Sequence, residues 1–303
     1  LLPSHHDIDI IYLLTGEIYM NNSKSWNDLE ALQTPDYESY NNLLLIDGNN
    51  LSYRWLQRPN HGSFANDFIR TVQSLSKSYE ASKTIVCFDF GKSYFRMDMS
   101  DEYKANRKKP KEEEEVKRYE AFFEVLNNLP DMLDEEVLKF RGVEADDTIA
   151  HLVMKYEEQT NYNHIWIVSS DRDLYQLVSE KTSIFNIFGR REVTYTTMQE
   201  EMEITPDLYL LSRIIEGDKS DNIIGVEGIG PKRAQGLAKE YKTFDALIKA
   251  LPIKGRAKYI QNLNASKELL IRNEKMISLK AYNEQALDAA KEPEIVRDKL
   301  SSM

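Results

Sequence analysis

Apolar residues along the chain fall into two patterns. Short unbroken runs occur at Leu43-Leu44-Leu45-Ile46, Ile85-Val86-Cys87-Phe88 and Ile165-Trp166-Ile167-Val168, separated by long stretches with helical spacing. Runs of this length, rich in β-formers, predict parallel strands buried on both faces of a doubly wound sheet. Between residues 145 and 158, Ile149, Leu152, Val153 and Tyr156 form one face of an amphipathic helix. A further helix is expected from Thr205-Pro206, with Thr as cap and Pro in the first turn. Leu208, Leu211 and Ile215 make its stripe, and Gly217 ends it. The expected class is α/β, with a mostly parallel central sheet flanked by helices.

Each strand-like run leads into an acid: Asp47, Asp89, and Asp171 after two serines. In an open parallel sheet, ligands bind beyond the carboxyl ends of the strands, so these three acids stand at one edge. Asp173 follows in Ser170-Asp171-Arg172-Asp173. Glu144, Asp146 and Asp147 open the helix above, and Asp218 and Asp221 follow the next one. Singly, such acids suit a helix N-terminus or a loop. Nine converging carboxylates repel, so protons or cations must accompany them. Oxygen ligands without His or Cys point to two Mg²⁺ (or Mn²⁺) ions, an arrangement that serves phosphodiester hydrolysis.

Charge changes the picture next. Acids outnumber bases 50 to 39, giving a net −11. Yet residues 231–282 hold twelve Lys/Arg against four acids, a local +8 that leaves −19 on the rest. That asymmetry predicts a basic nucleic-acid face beside an acidic centre. Residues 92–111 hold seven bases and three acids, with Tyr94, Phe95 and Tyr103 interleaved, a mixture suited to single strands. Pro110 and the helical spacing from Glu112 to Phe123 predict a projecting helical hairpin. Ile224 to Ala234 carries Gly225, Gly228 and Gly230, then Lys232 and Arg233 opening a helix. It reads as a helix–hairpin–helix that grips duplex backbone through exposed N–H groups. A single cysteine, Cys87, excludes a disulfide framework within the chain and fits a reducing, cytoplasmic setting. No stretch approaches the roughly 20 apolar residues that span a bilayer, so no membrane partner is expected.

Taken in order, Leu45-Ile46-Asp47-Gly48-Asn49-Asn50, Glu102-Tyr103-Lys104 to Arg107, Gly142 to Asp147, Ser170 to Asp173 and Gly217 to Ala234 resemble the flap endonuclease/5′→3′ exonuclease family. The chain is most similar there to bacteriophage 5′ nucleases and the nuclease domain of bacterial DNA polymerase I. The resemblance covers about residues 41–283. It implies a PIN-like nuclease core with a helical arch, acting on 5′ flaps, branched DNA and single-strand/duplex junctions as a monomer in the (host-cell) cytoplasm. Products would carry a 5′-phosphate and a 3′-hydroxyl. By the same resemblance Asp47, Asp89, Glu144, Asp146 and Asp147 would bind a first metal ion and activate water, and Asp171, Asp173, Asp218 and Asp221 would hold a second. Lys104 and Arg107 would steady the scissile phosphate, with Arg54 and Tyr103 touching DNA. Gly228, Gly230, Lys232 and Arg233 would hold the duplex, with a K⁺ at the hairpin carbonyls. The expected division is an N-terminal extension (1–40), a nuclease core (41–203) containing an arch (92–123), a helix–hairpin–helix region (204–285) and a tail (286–303). Met20 reads as a natural start. Two rivals are a minimal PIN-type ribonuclease, which needs neither arch nor hairpin, and a catalytically inactive binder of branched DNA, which needs no complete acid set.

Overall fold

The computed structural model describes residues 41–107, 110–159 and 161–303; the expected extension, 1–40, and its start at Met20 lie outside them. Among the described residues one six-stranded sheet is built from β1 (Asn42–Asp47), β2 (Ala81–Phe90), β3 (Glu136–Arg141), β4 (His164–Val168), β5 (Thr182–Asn186) and β6 (Arg191–Val193). Their order is β3-β2-β1-β4-β5-β6, all parallel except β6 against β5. The chain builds outward from β1 to β3 and then returns to place β4 on the other side of β1. That reversal makes a crevice at the carboxyl ends of β1 and β4.

Strand parity explains the two-sided burial. Leu43 and Leu45, with Ile85, Cys87, Ile165 and Ile167, pack under Ile149, Leu152 and Val153 of the helix Ala145–Gln159. Leu44 and Ile46, with Val86, Phe88 and Val168, pack under α1 (Ala65–Ser78) and the helix Glu113–Asn128. The helices that follow α1 include, in chain order, α2 (Tyr94–Met99), α3 (Glu113–Asn128), α4 (Ala145–Gln159), α5 (Pro206–Glu216), α6 (Pro231–Tyr241), α7 (Lys267–Ile277), α8 (Asn283–Asp288) and α9 (Pro293–Ser301). The predicted strands and the helices α4 and α5 are borne out. Thr205 accepts the Leu208 N–H, and Gly217 ends α5 with φ +76°.

A third core joins Leu211 and Ile215 of α5, Ala234 and Ala238 of α6, and Leu270 and Met276 of α7. Between α5 and α6, Gly217–Asp218 pairs antiparallel with Ile223–Ile224. A Cβ on Gly225 would stand 1.7 Å from the Glu216 carbonyl oxygen, so this close approach admits glycine alone.

Two expectations change. The second half of the expected hairpin is anchored at one end: α3 buries Phe122 and Leu126 against the sheet, worth roughly 1.5–3 kcal/mol each, while Glu112, Glu113 and Glu114 at its start are exposed. Residues 286–303 are no loose tail. Leu287, Ala290, Val296 and Leu300 join the α4 core, Lys155 donates to the Leu300 carbonyl and Tyr156 to the Met303 carbonyl. The i, i+4 spacing of Val296 and Leu300 was the local signal for this packing.

Candidate active site

The site grows from strand ends and helix starts. Asp47, closing β1, accepts the Asn50 N–H at 2.9 Å and the Ser169 hydroxyl at 3.0 Å. Asp89, one residue before the end of β2, accepts the Ala145 N–H at 2.7 Å, which ties it to the start of α4. Glu144, Asp146 and Asp147 crowd that same helix start, where the dipole favours negative charge. Glu144 accepts from the Tyr103 hydroxyl and from Lys104 Nζ, both at 2.7 Å.

On the other side of β1, Asp171 accepts the Asp173 N–H, and its own N–H donates to the Ser169 hydroxyl. Arg213 of α5 clasps Asp173 at 2.9 Å and Asp218 at 2.7 Å. Asp221 takes Arg107 at 2.9 Å and Lys104 at 3.5 Å. Two groups result, Glu144/Asp146/Asp147 and Asp173/Asp218/Asp221, and within each the available oxygens lie within 4.8 Å of one another.

Cations neutralise the cluster only in part. Arg96, Lys104, Arg107 and Arg213 serve Glu144, Asp147, Asp173, Asp218 and Asp221, while Asp47, Asp89, Asp146 and Asp171 have no cationic side chain within 4.0 Å among the described residues. Their titration follows. Burial, then the Asp89 charge, pushes Asp47 up to about 7. Burial, opposed by the Ala145 N–H and reinforced by Glu144, lifts Asp89 to about 6. Burial and Asp171 lift Asp173 to about 8 despite Arg213. Asp146 rises well above the usual range from burial and Asp147, and Asp171 rises from burial although the Asp173 N–H opposes it. For Glu144 burial is outweighed by Lys104 and Arg96, and for Asp218 by Ser220 and Arg213, so both are lowered. Acids whose pKa burial and crowding raise, and acids without cationic partners, mark negative charge that a divalent cation would neutralise, and the all-carboxylate donor set suits such hard ions.

Several expected roles gain detail. Asp147 stays within the Glu144/Asp146/Asp147 group but is also clasped: its two oxygens accept from Arg96 at 2.7 and 2.9 Å, and both side chains are buried. Arg96, counted with the DNA-facing bases, also donates Nε to the Met276 carbonyl at 2.8 Å. Tyr103 is 1% exposed, with its hydroxyl on Glu144, so no base can stack on its ring in this conformation. Phe95 faces Tyr282 at 6.4 Å between centroids. Arg54 lies 5.4 Å from the Trp55 ring centroid, and burial together with Arg58 and Arg190 lowers its pKa. At the hairpin, Gly228 has φ +80° and Gly230 caps α6, leaving Lys232 exposed. Arg233 donates to the Gly228 carbonyl at 2.8 Å and covers the Tyr259 ring. The sequence reading missed Arg96 and Arg213 as clasps and Ser169 as a tie between Asp47 and Asp171. Only their proximity to site residues hinted at these roles.

The chain is similar to known proteins over most of its length. A family model described as the 5′-3′ exonuclease N-terminal resolvase-like domain matches residues 42–205, and one described as the 5′-3′ exonuclease C-terminal SAM fold matches 204–294. The chain is 39% identical over 273 residues to the flap endonuclease of Escherichia phage T5, covering 88% of this chain and 93% of that protein. It is 31% identical over 239 residues to a 5′-3′ exonuclease of Bacillus subtilis, covering 73% and 78%. Among solved structures, the bacteriophage T5 flap endonuclease in a pseudo-enzyme–product complex with DNA and metal ions is similar at TM-score 0.81 and 38% identity, covering 86% of this chain and 97% of that one. The T5 5′-exonuclease with bound zinc gives TM-score 0.80 at 39% identity, with the same coverage.

Proposed function

The chain belongs to the 5′-3′ exonuclease family of nucleases, and from that premise we propose that it is a structure-specific 5′ nuclease. It would cut 5′ flaps and junctions of DNA with two Mg²⁺ (or Mn²⁺) ions, leaving a 5′-phosphate and a 3′-hydroxyl. The observation that carries this reading is the pair of three-carboxylate groups at one sheet edge, bridged by Lys104 from Glu144 to Asp221. Asp47, Asp89, Glu144, Asp146 and Asp147, the last braced by Arg96, suit one ion, and Asp171, Asp173, Asp218 and Asp221 the other. Bound there, the ions would acidify a water and neutralise charge on the phosphate.

The chain's own residues do the rest. Asp47 and Asp146 orient the attacking water with their remaining lone pairs. Lys104 and Arg107 exchange Glu144 and Asp221 for the scissile phosphate and stabilise its developing charge. Arg213 keeps Asp173 and Asp218 convergent, and Arg96 holds Asp147 so that α4 presents Asp146. Lys232, with the Gly228–Gly230 hairpin and Arg233 bracing it, supports duplex backbone. A K⁺ at that hairpin would be held by its backbone carbonyls. No helix among the described residues is long and apolar enough to cross a membrane. We place the protein in the cytoplasm as a monomer. Its domain limits are proposed at residues 41–203 and 204–285, with 286–303 returning to the core.

The test uses a labelled 5′-flap DNA and its RNA counterpart, each with Mg²⁺ and with EDTA, mapping the cut. Cleavage near the DNA junction only with Mg²⁺ supports the reading. Full activity in EDTA, or cleavage of RNA alone, overturns it.

A further inference from the structure

β3 stands at one end of the sheet order, so only one of its sides is paired. Along a strand, successive residues turn their backbone N–H and C=O to opposite sides. The Gly142 N–H donates inward to the Phe90 carbonyl, whereas the Arg141 carbonyl turns outward and accepts the Lys291 N–H at 2.9 Å. Val137 and Lys139 share the outward setting of Arg141, and among the described residues no backbone group hydrogen-bonds to theirs on that side. An edge of this kind is a template for another strand.

A cavity of about 220 Å³ opens along this edge, between the end of β3 and the start of α9, and none of the carboxylates of the candidate active site lines it. Side chains sort there by strand parity. Lys139 and Arg141 stand on one face, 5.4 and 5.9 Å from the ring centroid of Phe90, which is 47% exposed. Phe140 stands on the other face, and Ile295 of α9, 54% exposed, lines the same cavity. Lys139, Arg141 and Lys291 have no carboxylate oxygen within 4.0 Å among the described residues. Neither Glu292, in the cavity wall, nor Asp131, whose charge acts on Lys139, pairs with them.

Bases on one face of an open edge and uncovered apolar groups on the other call for a chain that is itself a strand. A nucleic acid would satisfy the charge but supplies no ladder of N–H and C=O groups for Val137 and Lys139. We propose that the outer edge of β3 docks an acidic, strand-forming peptide of a partner protein, which extends the sheet by one strand. Acids two positions apart meet Lys139 and Arg141, and the apolar residue between them meets Phe140 and Ile295. The partner is thereby held next to the nuclease site without entering it.

The full chain is titrated by fluorescence anisotropy with three labelled, end-capped peptides. One alternates as Asp-Ile-Asp-Ile-Asp-Ile, one is the block Asp-Asp-Asp-Ile-Ile-Ile, and one is the alternating peptide with every amide N-methylated. The alternating peptide should bind at least tenfold more tightly than the other two. Lys139→Gln combined with Arg141→Gln should weaken it about tenfold, as two lost, partly exposed ion pairs would. Ile295→Asp should weaken it by a similar factor, and each variant should keep the wild-type Tm and the wild-type affinity for 5′-flap DNA. Equal binding of the three peptides, or of none, overturns the proposal. So does a loss of flap-DNA affinity in the double variant as large as its loss of peptide affinity, which would give this face to nucleic acid. A wild-type dimer in sedimentation that Ile295→Asp dissolves would also overturn it, because the edge would then pair with a second copy of the chain. The peptide titration needs neither metal nor DNA, so its outcome is independent of the nuclease reading.

Discussion

Lys104 sits where two demands meet. Burial disfavours its charge, but Glu144 and Asp221 more than compensate and hold its pKa above the usual lysine value, so it stays cationic at any working pH. Lys104→Ala should therefore lower the single-turnover cleavage rate roughly 10²–10³-fold while changing duplex affinity little, as expected for a lost donor to transition-state charge. An unchanged rate would return Lys104 to a structural tie. Asp146 and Asp147, adjacent and chemically identical, should part company. Asp147→Ala takes the bidentate partner from the buried Arg96, leaving it Glu144 at 3.5 Å, and should cost about 3 kcal/mol in denaturant unfolding. Asp146→Ala removes an acid that burial and Asp147 already penalise, so it should abolish cleavage without lowering stability. If the two variants unfold alike, the Arg96 clasp does not distinguish them. The sequence could not separate these neighbours, because the guanidinium that decides between them lies 51 positions earlier. The same long-range pairing removed Tyr103 and Arg96 from the DNA-facing surface.

The elements were more legible than their partnerships. Apolar runs located β1, β2 and β4, and the Thr205-Pro206 start and Gly217 stop framed α5, because these signals are local in the chain. In α3, Pro110 and the charged residues 112–115 signal the exposed start, whereas the anchoring of its other end by Phe122 and Leu126 depends on partners distant in the chain. At α6 the two basic residues divide their work. Lys232 is exposed and free to meet a phosphate, while Arg233 braces Gly228. Lys232→Ala should flatten the plot of log K against log salt by about 0.9 on duplex DNA, equally for all sequences. Arg233→Ala should also weaken binding, through a loosened hairpin, but with a smaller change of slope. Matching slopes in wild type and Lys232→Ala would remove this helix start from the duplex face.

Across the molecule, the crowded carboxylates make stability depend on pH and metal together. Asp47, Asp89 and Asp173 keep their protons up to about 7, 6 and 8, against an ordinary value of 3.8. A raised carboxyl pKa means that the folded chain binds more protons than the unfolded one. Its contribution is complete below about pH 4 and is lost as pH climbs through 6 to 8. A divalent cation takes the ionised form, so the gain in Tm on adding Mg²⁺ should be larger at pH 8 than at pH 5. An equal gain at both would place the ion elsewhere. The return of α9 to α4 has a different kind of consequence. Lys155 and Tyr156, midway along the chain, find their acceptors only at Leu300 and Met303. While this polypeptide is being synthesised, the helix that bears Asp146 therefore lacks its last covering layer until residues 293–303 have cleared the ribosome. Nascent chains arrested just short of residue 293 should be digested by protease within α4, and those extended far enough to free residue 303 from the exit tunnel should resist.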